Sequence, residues 1–131
     1  CGPDASVQEA AKLMDDNSVG SIPVVNNAGA PFAVVTDRDI CCGAVAQGKG
    51  PDTRASDVMS KDVLTTAPDD DVEECCTKME EKQVRRAVVT DAAGKCCGIV
   101  AQADVAREAS GKETAKLVQK ISRDEKTSGC C

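Results

Sequence analysis

The sequence predicts an α+β fold built from two tandem copies of one helix–strand–turn–strand–helix unit. Three observations carry this expectation. Sliding the chain by 65 positions lays residues 3–40 on 68–105 without a gap, and eleven of those 38 positions are identical, Pro3/Pro68, Asp4/Asp69, Met14/Met79, Gly29/Gly94 and Asp39/Asp104 among them. Roughly two or three identities would arise by chance. Each copy opens with apolar residues at helical spacing, and each continues with two short β-rich runs around a turn. Units this small bury a core poorly alone, so the pair is the expected folding module.

The elements follow in order. Val7, Ala10, Ala11 and Met14 recur at i, i+3, i+4 and i+7, which predicts one apolar face of a helix within residues 6–18. The second copy places Val72, Cys75, Cys76 and Met79 on that face, so Cys75 and Cys76 read as small core residues. A β-rich run then spans Ile22 to Val25, matched by Ala87 to Thr90. Asn26 to Gly29, or Asp91 to Gly94, supplies the Asn, Asp and Gly residues that tight hairpin loops need. Phe32 to Val35 and Cys97 to Val100 form the next strands, and a second helix opens near Asp37 or Gln102. Residues 47–57 read as a polar, Gly- and Pro-bearing linker. Val58 to Thr66 reads as a turn and a short strand without a counterpart in the first copy, which is therefore expected to lack its leading strand. Thr114, Leu117, Val118 and Ile121 suggest a short amphipathic helix before a polar, frayed tail over 122–131. The expected organisation is a first repeat over 1–46, a linker over 47–57, a second repeat over 58–110 and a C-terminal helix and tail over 111–131.

Composition narrows the function. The 131 residues are 41% apolar and 29% charged, inside the globular range. Phe32 is the sole aromatic residue, which argues against single-stranded nucleic-acid readers that stack bases. There is no histidine, so Ser-His-Asp and Cys-His nucleophile systems are excluded. Sixteen basic against 22 acidic side chains give a net charge of −6, the wrong sign for gripping DNA or RNA. No apolar run approaches a membrane span, and no leader opens the chain, so no membrane and a cytoplasmic location are the expectations. Eight of the nine cysteines form adjacent pairs, Cys41/Cys42, Cys75/Cys76, Cys96/Cys97 and Cys130/Cys131, and none forms a C-x-x-C. That pattern suits core packing better than a disulfide scaffold or a zinc site. A redox switch would need an activating cation, and Arg107 near Cys42 by repeat position is the one candidate.

Several residues are notable for chemistry. Thr36 and Asp39 have the spacing of a helix-capping pair, and the N–H groups at such a helix start also attract phosphate. Asp104 repeats Asp39, with Ala101 in place of the Thr. Arg85 and Arg86 could neutralise phosphate or pair with Glu80 or Glu81, and Arg38 and Lys61 are weaker candidates of the same kind. Asp69, Asp70, Asp71, Glu73 and Glu74 sit at a helix start, where they complement the helix dipole; they lack the alternating spacing of a calcium loop.

Taken together, Ser21 to Val25 with Val34 to Ile40, then Asp57 to Ser60, Met79 to Arg86 and Gly98 to Arg107, resemble a CBS-domain pair, also called a Bateman module. The likeness covers about residues 3–107 and is nearest to small stand-alone bacterial proteins, stress- or hypoxia-response types among them. The resemblance implies β-α-β-β-α units packed sheet to sheet with pseudo-twofold symmetry, and a homodimer. It implies clefts that take AMP, ADP, ATP or S-adenosylmethionine for regulation rather than catalysis. The family motif Gly-h-h-Thr/Ser-x-x-Asp (h, aliphatic) maps onto Thr36 and Asp39 and onto Asp104. Ala33, Ala101 and Val88 depart from it or from the aliphatic-Pro element that Pro23 keeps, and the Ala33 methyl is expected near the ligand path. On this basis Asp39 or Asp104 would hold the ribose, and Thr36, helix N–H groups and Arg85/Arg86 the phosphates. Ile22, Pro23, Val35, Val88 and Ile99 would wall the base. Alternatives are a structural dimerisation or interaction module with empty clefts, or a cysteine-based redox switch.

Overall fold

Both repeats fold in the register that the offset of 65 demands. The computed structural model describes residues 1–108 and 111–121, which form two compact units, one of Cys1–Val63 with Gly94–Cys96 and one of Leu64–Ala93 with the described residues after Cys96. The expected tail over 122–131, with Cys130 and Cys131, lies outside the described residues.

In the first unit, α1 (Val7–Asp16) is followed by β1 (Ser21–Val25), β2 (Pro31–Thr36) and α2 (Asp37–Gly43). A capping box starts α1: the Glu9 N–H donates to Ser6 Oγ at 3.1 Å while the Ser6 N–H donates to Glu9 Oε2 at 2.7 Å. Those Ser6 donors hold the Glu9 carboxyl below the ordinary glutamate range. Val7, Ala10 and Met14 are buried, but Ala11 is exposed, so the apolar face is narrower than the spacing suggested. β1 and β2 pair antiparallel with Ile22 opposite Val35 and Val24 opposite Ala33. The core gathers Ala10, Met14, Val24, Ala33 and Val35, with Ile22, Ile40, Val58 and Met59 against it.

Two parts of this unit are held by backbone bonds that the local pattern does not announce. Cys1 N donates to Pro23 O and Val25 N to Cys1 O, both at 2.9 Å. Those are the bonds of a parallel strand around Val24, and they reproduce the pairing of Thr66 with Val89 one repeat later. Residues 47–57, the expected linker, are bonded to the first unit. Ala55 opens a 3-10 turn over Ala55–Asp57, is fully buried, and donates its N–H to Ala5 O at 2.7 Å, while Ser60 bridges Val34. The segment is tied down because its backbone satisfies donors and acceptors at the start of α1.

The second unit carries β3 (Thr65–Thr66), α3 (Val72–Lys82), β4 (Arg86–Thr90), β5 (Cys96–Ala101), α4 (Gln102–Glu108) and α5 (Gly111–Ile121). β3, β4 and β5 form one sheet in that order, with β3 parallel to β4. Its core comprises Leu64, Cys75, Met79, Ala87, Val105, Leu117 and Ile121, with Cys76 packed against it, so Cys75 and Cys76 do act as core residues. Val72 departs from the expected buried face and is 57% exposed. Repetition extends to the backbone: left-handed residues fall at Ser18 and Gln83 and at Gly29 and Gly94. Turns at these places need a positive φ, which glycine adopts without strain.

The acidic run is absorbed by the start of α3. Asp71 caps the helix by accepting the Glu73 N–H at 2.7 Å. Asp70 accepts from the Ala67 N–H at 3.0 Å and the Thr66 hydroxyl at 2.8 Å, and Lys78 lies 3.7 Å away. These donors, the Ala67 N–H first, hold the Asp70 carboxyl below the usual aspartate range. A carboxyl depressed on folding contributes stability above its unfolded pKa and loses it as pH falls through the folded value. Asp70→Asn is therefore expected to lower the urea midpoint at pH 6 and to leave it nearly unchanged at pH 2, read by circular dichroism at both.

Candidate functional site

The start of α2 is the best-formed candidate in the first unit. β2 delivers Thr36 to the helix boundary, where a capping box closes. The Asp39 N–H donates to Thr36 Oγ1 at 3.1 Å, and Asp39 Oδ2 accepts from the Thr36 N–H at 2.9 Å and the Thr36 hydroxyl at 2.8 Å. Capping and ligand contact coexist here, because Asp39 Oδ1 has no hydrogen-bond partner among the described residues. On β1, Ser21 pairs with Thr36, while Ile22 and Pro23, both half-buried, pair with Val35 and Val34. Val35 is fully buried in the unit's core, and so is Ala33, whose methyl therefore packs inward instead of narrowing a ligand path. Arg38 is exposed. Thr36→Ala is expected to destabilise the first unit by about 0.5–2 kcal/mol, the usual worth of an N-cap hydroxyl, measured by urea denaturation.

The second unit repeats the turn with different chemistry. Asp104 Oδ2 accepts from the Ala101 N–H at 2.9 Å, so the carboxylate survives as a cap without the reciprocal hydroxyl. Its other oxygen takes Arg107 Nη2 at 2.8 Å, an exposed pair of small energetic worth. Gln102 N–H donates to Arg85 O at 3.0 Å, which brings the Arg85 backbone to the start of α4, as the Asp37 N–H does with Gly20 O in the first unit. Arg86 opens β4 half-buried, Ile99 is half-buried on β5, and Val88 is buried. Glu80 pairs with Lys120 of α5, a partner 40 residues away that no local pattern announces. Sequence reasoning read Arg107 only as a cation near Cys42 and Gln102 only as a helix start, and missed what each does at this turn. Arg107 stands at i+3 from Asp104, a spacing that could have flagged it. Gln102 Oε1 is buried without a hydrogen-bond partner, and no sequence signal marks that.

The remaining features are negative or structural. Burial pushes the Cys75 thiol above its ordinary pKa, which disfavours a reactive thiolate there. Among the described residues, no three His, Cys, Asp or Glu side chains converge as metal ligands, and no helix is long and apolar enough to cross a membrane. Two hollows of about 190 and 210 Å³ flank α3 in the second unit, and Val72 lines both.

Comparison with known proteins agrees with the doubled architecture. The chain is 37% identical over 113 residues to the CBS domain-containing protein YhcV of Bacillus subtilis, covering 86% of this chain and 79% of that protein. It spans about half, 53%, of the length of another curated relative that it matches. A CBS domain protein from Pyrobaculum aerophilum, PAE2072, solved in complex with AMP, superposes with a TM-score of 0.75 at 25% identity, covering 91% of this chain and 89% of that one. The CBS domain pair of protein MJ0100, solved with 5'-methylthioadenosine and S-adenosyl-L-methionine, superposes with a TM-score of 0.73 at 27% identity, covering 85% and 86%. The family described as CBS domain matches residues 1–42 and 55–111, one match for each repeat found by the offset of 65. With a family match over each repeat and a relative 37% identical along most of its length, the chain belongs to the CBS-domain family.

Proposed function

We propose that the protein is a non-enzymatic regulatory module that binds an adenine nucleotide or adenosyl compound and works as a homodimer. The observation that carries this reading is the turn at Thr36 and Asp39. One carboxylate oxygen builds the cap and the other stays uncommitted, an acceptor for a ribose hydroxyl. Half-buried Pro23, on the face of β1 opposite the core-packed Ile22, would offer an aliphatic wall, and the N–H groups of α2 favour phosphate. In the second repeat, Asp104 would take the ribose, Ile99 would wall the base, and Arg85 and Arg86 would balance phosphate charge. Support comes from PAE2072 and MJ0100, solved with AMP and with S-adenosyl-L-methionine respectively.

Isothermal titration of the intact chain with AMP, ADP, ATP and S-adenosylmethionine tests this. Saturable binding by at least one is expected, weakened about ten- to a hundredfold by Asp39→Ala, because a hydrogen bond to a charged group is worth about 1.5–3 kcal/mol. Silence for all four ligands at millimolar concentration would retire the reading. The alternative, an interaction module with empty clefts, is favoured by one feature, the Arg107 side chain already bound to Asp104.

A further inference from the structure

The two repeats carry the same acid at the same turn and spend it differently. Asp39 and Asp104 coincide under the offset of 65, and each uses Oδ2 to cap the helix that follows. Beyond that oxygen the chemistry splits. In the first repeat the Thr36 hydroxyl also donates to Oδ2, and Oδ1 is uncommitted among the described residues. In the second, Ala101 has no hydroxyl to give, and Arg107 stands where the first repeat has Cys42. Arg107 Nη2 donates to Asp104 Oδ1 at 2.8 Å, and its Nε donates to Ala103 O at 3.3 Å. A guanidinium therefore covers the carboxylate oxygen that the first repeat leaves open.

This cover is exchangeable. The Arg107 and Asp104 side chains are 73% and 47% exposed, and an exposed pair of this kind is held only weakly against water. A ribose hydroxyl can take Oδ1 in its place. The guanidinium then loses the anionic partner that it has among the described residues, yet stays tethered three residues away on a long side chain. An anion carried by the same ligand can take it up. The guanidinium's parallel N–H groups match the oxygens of a phosphate, and such charge-assisted bonds are about twice as strong as neutral ones. A neutral 5′ substituent leaves the cation without a partner, and a cationic one repels it.

We propose that Arg107 is a specificity-determining residue of the second repeat. It yields Asp104 to the ribose and passes to the 5′-phosphate, so this turn selects phosphate-bearing adenine nucleotides over neutral or cationic adenosyl compounds. The donor missing at Ala101 is thereby replaced by a charged one from the next turn of the helix. The first repeat, with Cys42 at that place, has no such exchange and takes both classes. The inference rests on the reading above, that each acid holds a ribose, and extends it by dividing the ligands between the repeats.

The test is a nuclear magnetic resonance titration of the intact chain with AMP and, separately, with 5′-methylthioadenosine, which carries no charge. Amide shifts of Thr36 to Asp39 read the first turn, those of Ala101 to Asp104 the second, and the Arg107 Nε signal reads the guanidinium. At the second turn AMP is expected to bind about tenfold or more tightly than the neutral compound, with the Nε signal moving only for AMP on saturation to a phosphate-bound position. Added salt should narrow that preference. Arg107→Ala, at an exposed helical position, is expected to tighten 5′-methylthioadenosine there about two- to fivefold while weakening AMP. A residue that merely stabilised the helix would move both ligands in one direction. Equal affinities at the second turn, an unchanged ratio in Arg107→Ala, or shifts confined to the first turn in both proteins would overturn the proposal and leave the Asp39 reading standing. No shift at either turn with either ligand would remove the nucleotide reading and this inference together.

Discussion

Replacing Met79 by alanine is expected to destabilise the second unit by about 2–5 kcal/mol, the range for a large-to-small change in a closed core. Met79 is completely buried among Leu64, Cys75, Ala87, Val105, Leu117 and Ile121, so its removal strips packing contacts on several elements at once. α3, β4, α4 and α5 all lean on this side chain's neighbourhood, and little is free to collapse into the void. Met79→Leu keeps the volume and is expected to cost less than about 1.5 kcal/mol. Urea denaturation followed by circular dichroism separates the two. Equal losses from both substitutions would mean that the site is not close-packed. The repeat counterpart Met14, 6% exposed in the other core, provides an internal control for the first unit.

Ala55→Asp is expected to be comparably severe, about 3–5 kcal/mol, because a buried carboxylate without a partner loses its hydration and gains nothing in exchange. Ala55 is fully buried, and its carbonyl accepts from Val58 and Met59 N–H at 3.1 and 2.8 Å, so the backbone cannot swing outward without breaking the turn. The nearest basic neighbour in sequence, Arg54, is already directed at Asp4. Burial raises the folded-state pKa of such an acid above its unfolded value, so the penalty is greatest at neutral pH and shrinks as pH falls toward 4. Thermal unfolding at pH 7.5 and pH 5 reads this directly. A variant as stable as wild type at neutral pH would mean that position 55 is not closed off from water.

That segment marks where sequence reasoning reached its limit. Gly48, Gly50 and Pro51 with a run of polar residues are the ordinary signature of a linker, and local pattern contains nothing else. What binds the segment is its backbone, which meets Ala5, Val7 and Pro3 about 45–55 residues away, and backbone groups are the same at every position. The same blindness applies to Lys120 and Glu80 and to the half-hidden strand pairing of Cys1. By contrast, the Ser6/Glu9 capping box was legible as Ser-x-x-Glu and simply went unread, while Thr36/Asp39 was read correctly as a cap. Asp104 was placed at its helix start, but its engagement by Arg107 depends on a side-chain rotamer that spacing alone does not choose.

By itself the sequence determined the doubled α+β architecture, the alternation of helices and strands, and the positions of the two acids, because apolar period, turn residues and an internal offset are written locally and repeat. Tertiary structure alone decided which of two near-identical helix starts is closed and which is open. Val7 and Val72 are the same residue in the same register, yet among the described residues one is covered by Thr53 to Ala55 and the other is more than half exposed. The physical reason is that burial is a property of what the rest of the chain brings to a surface, and no residue encodes its own neighbours.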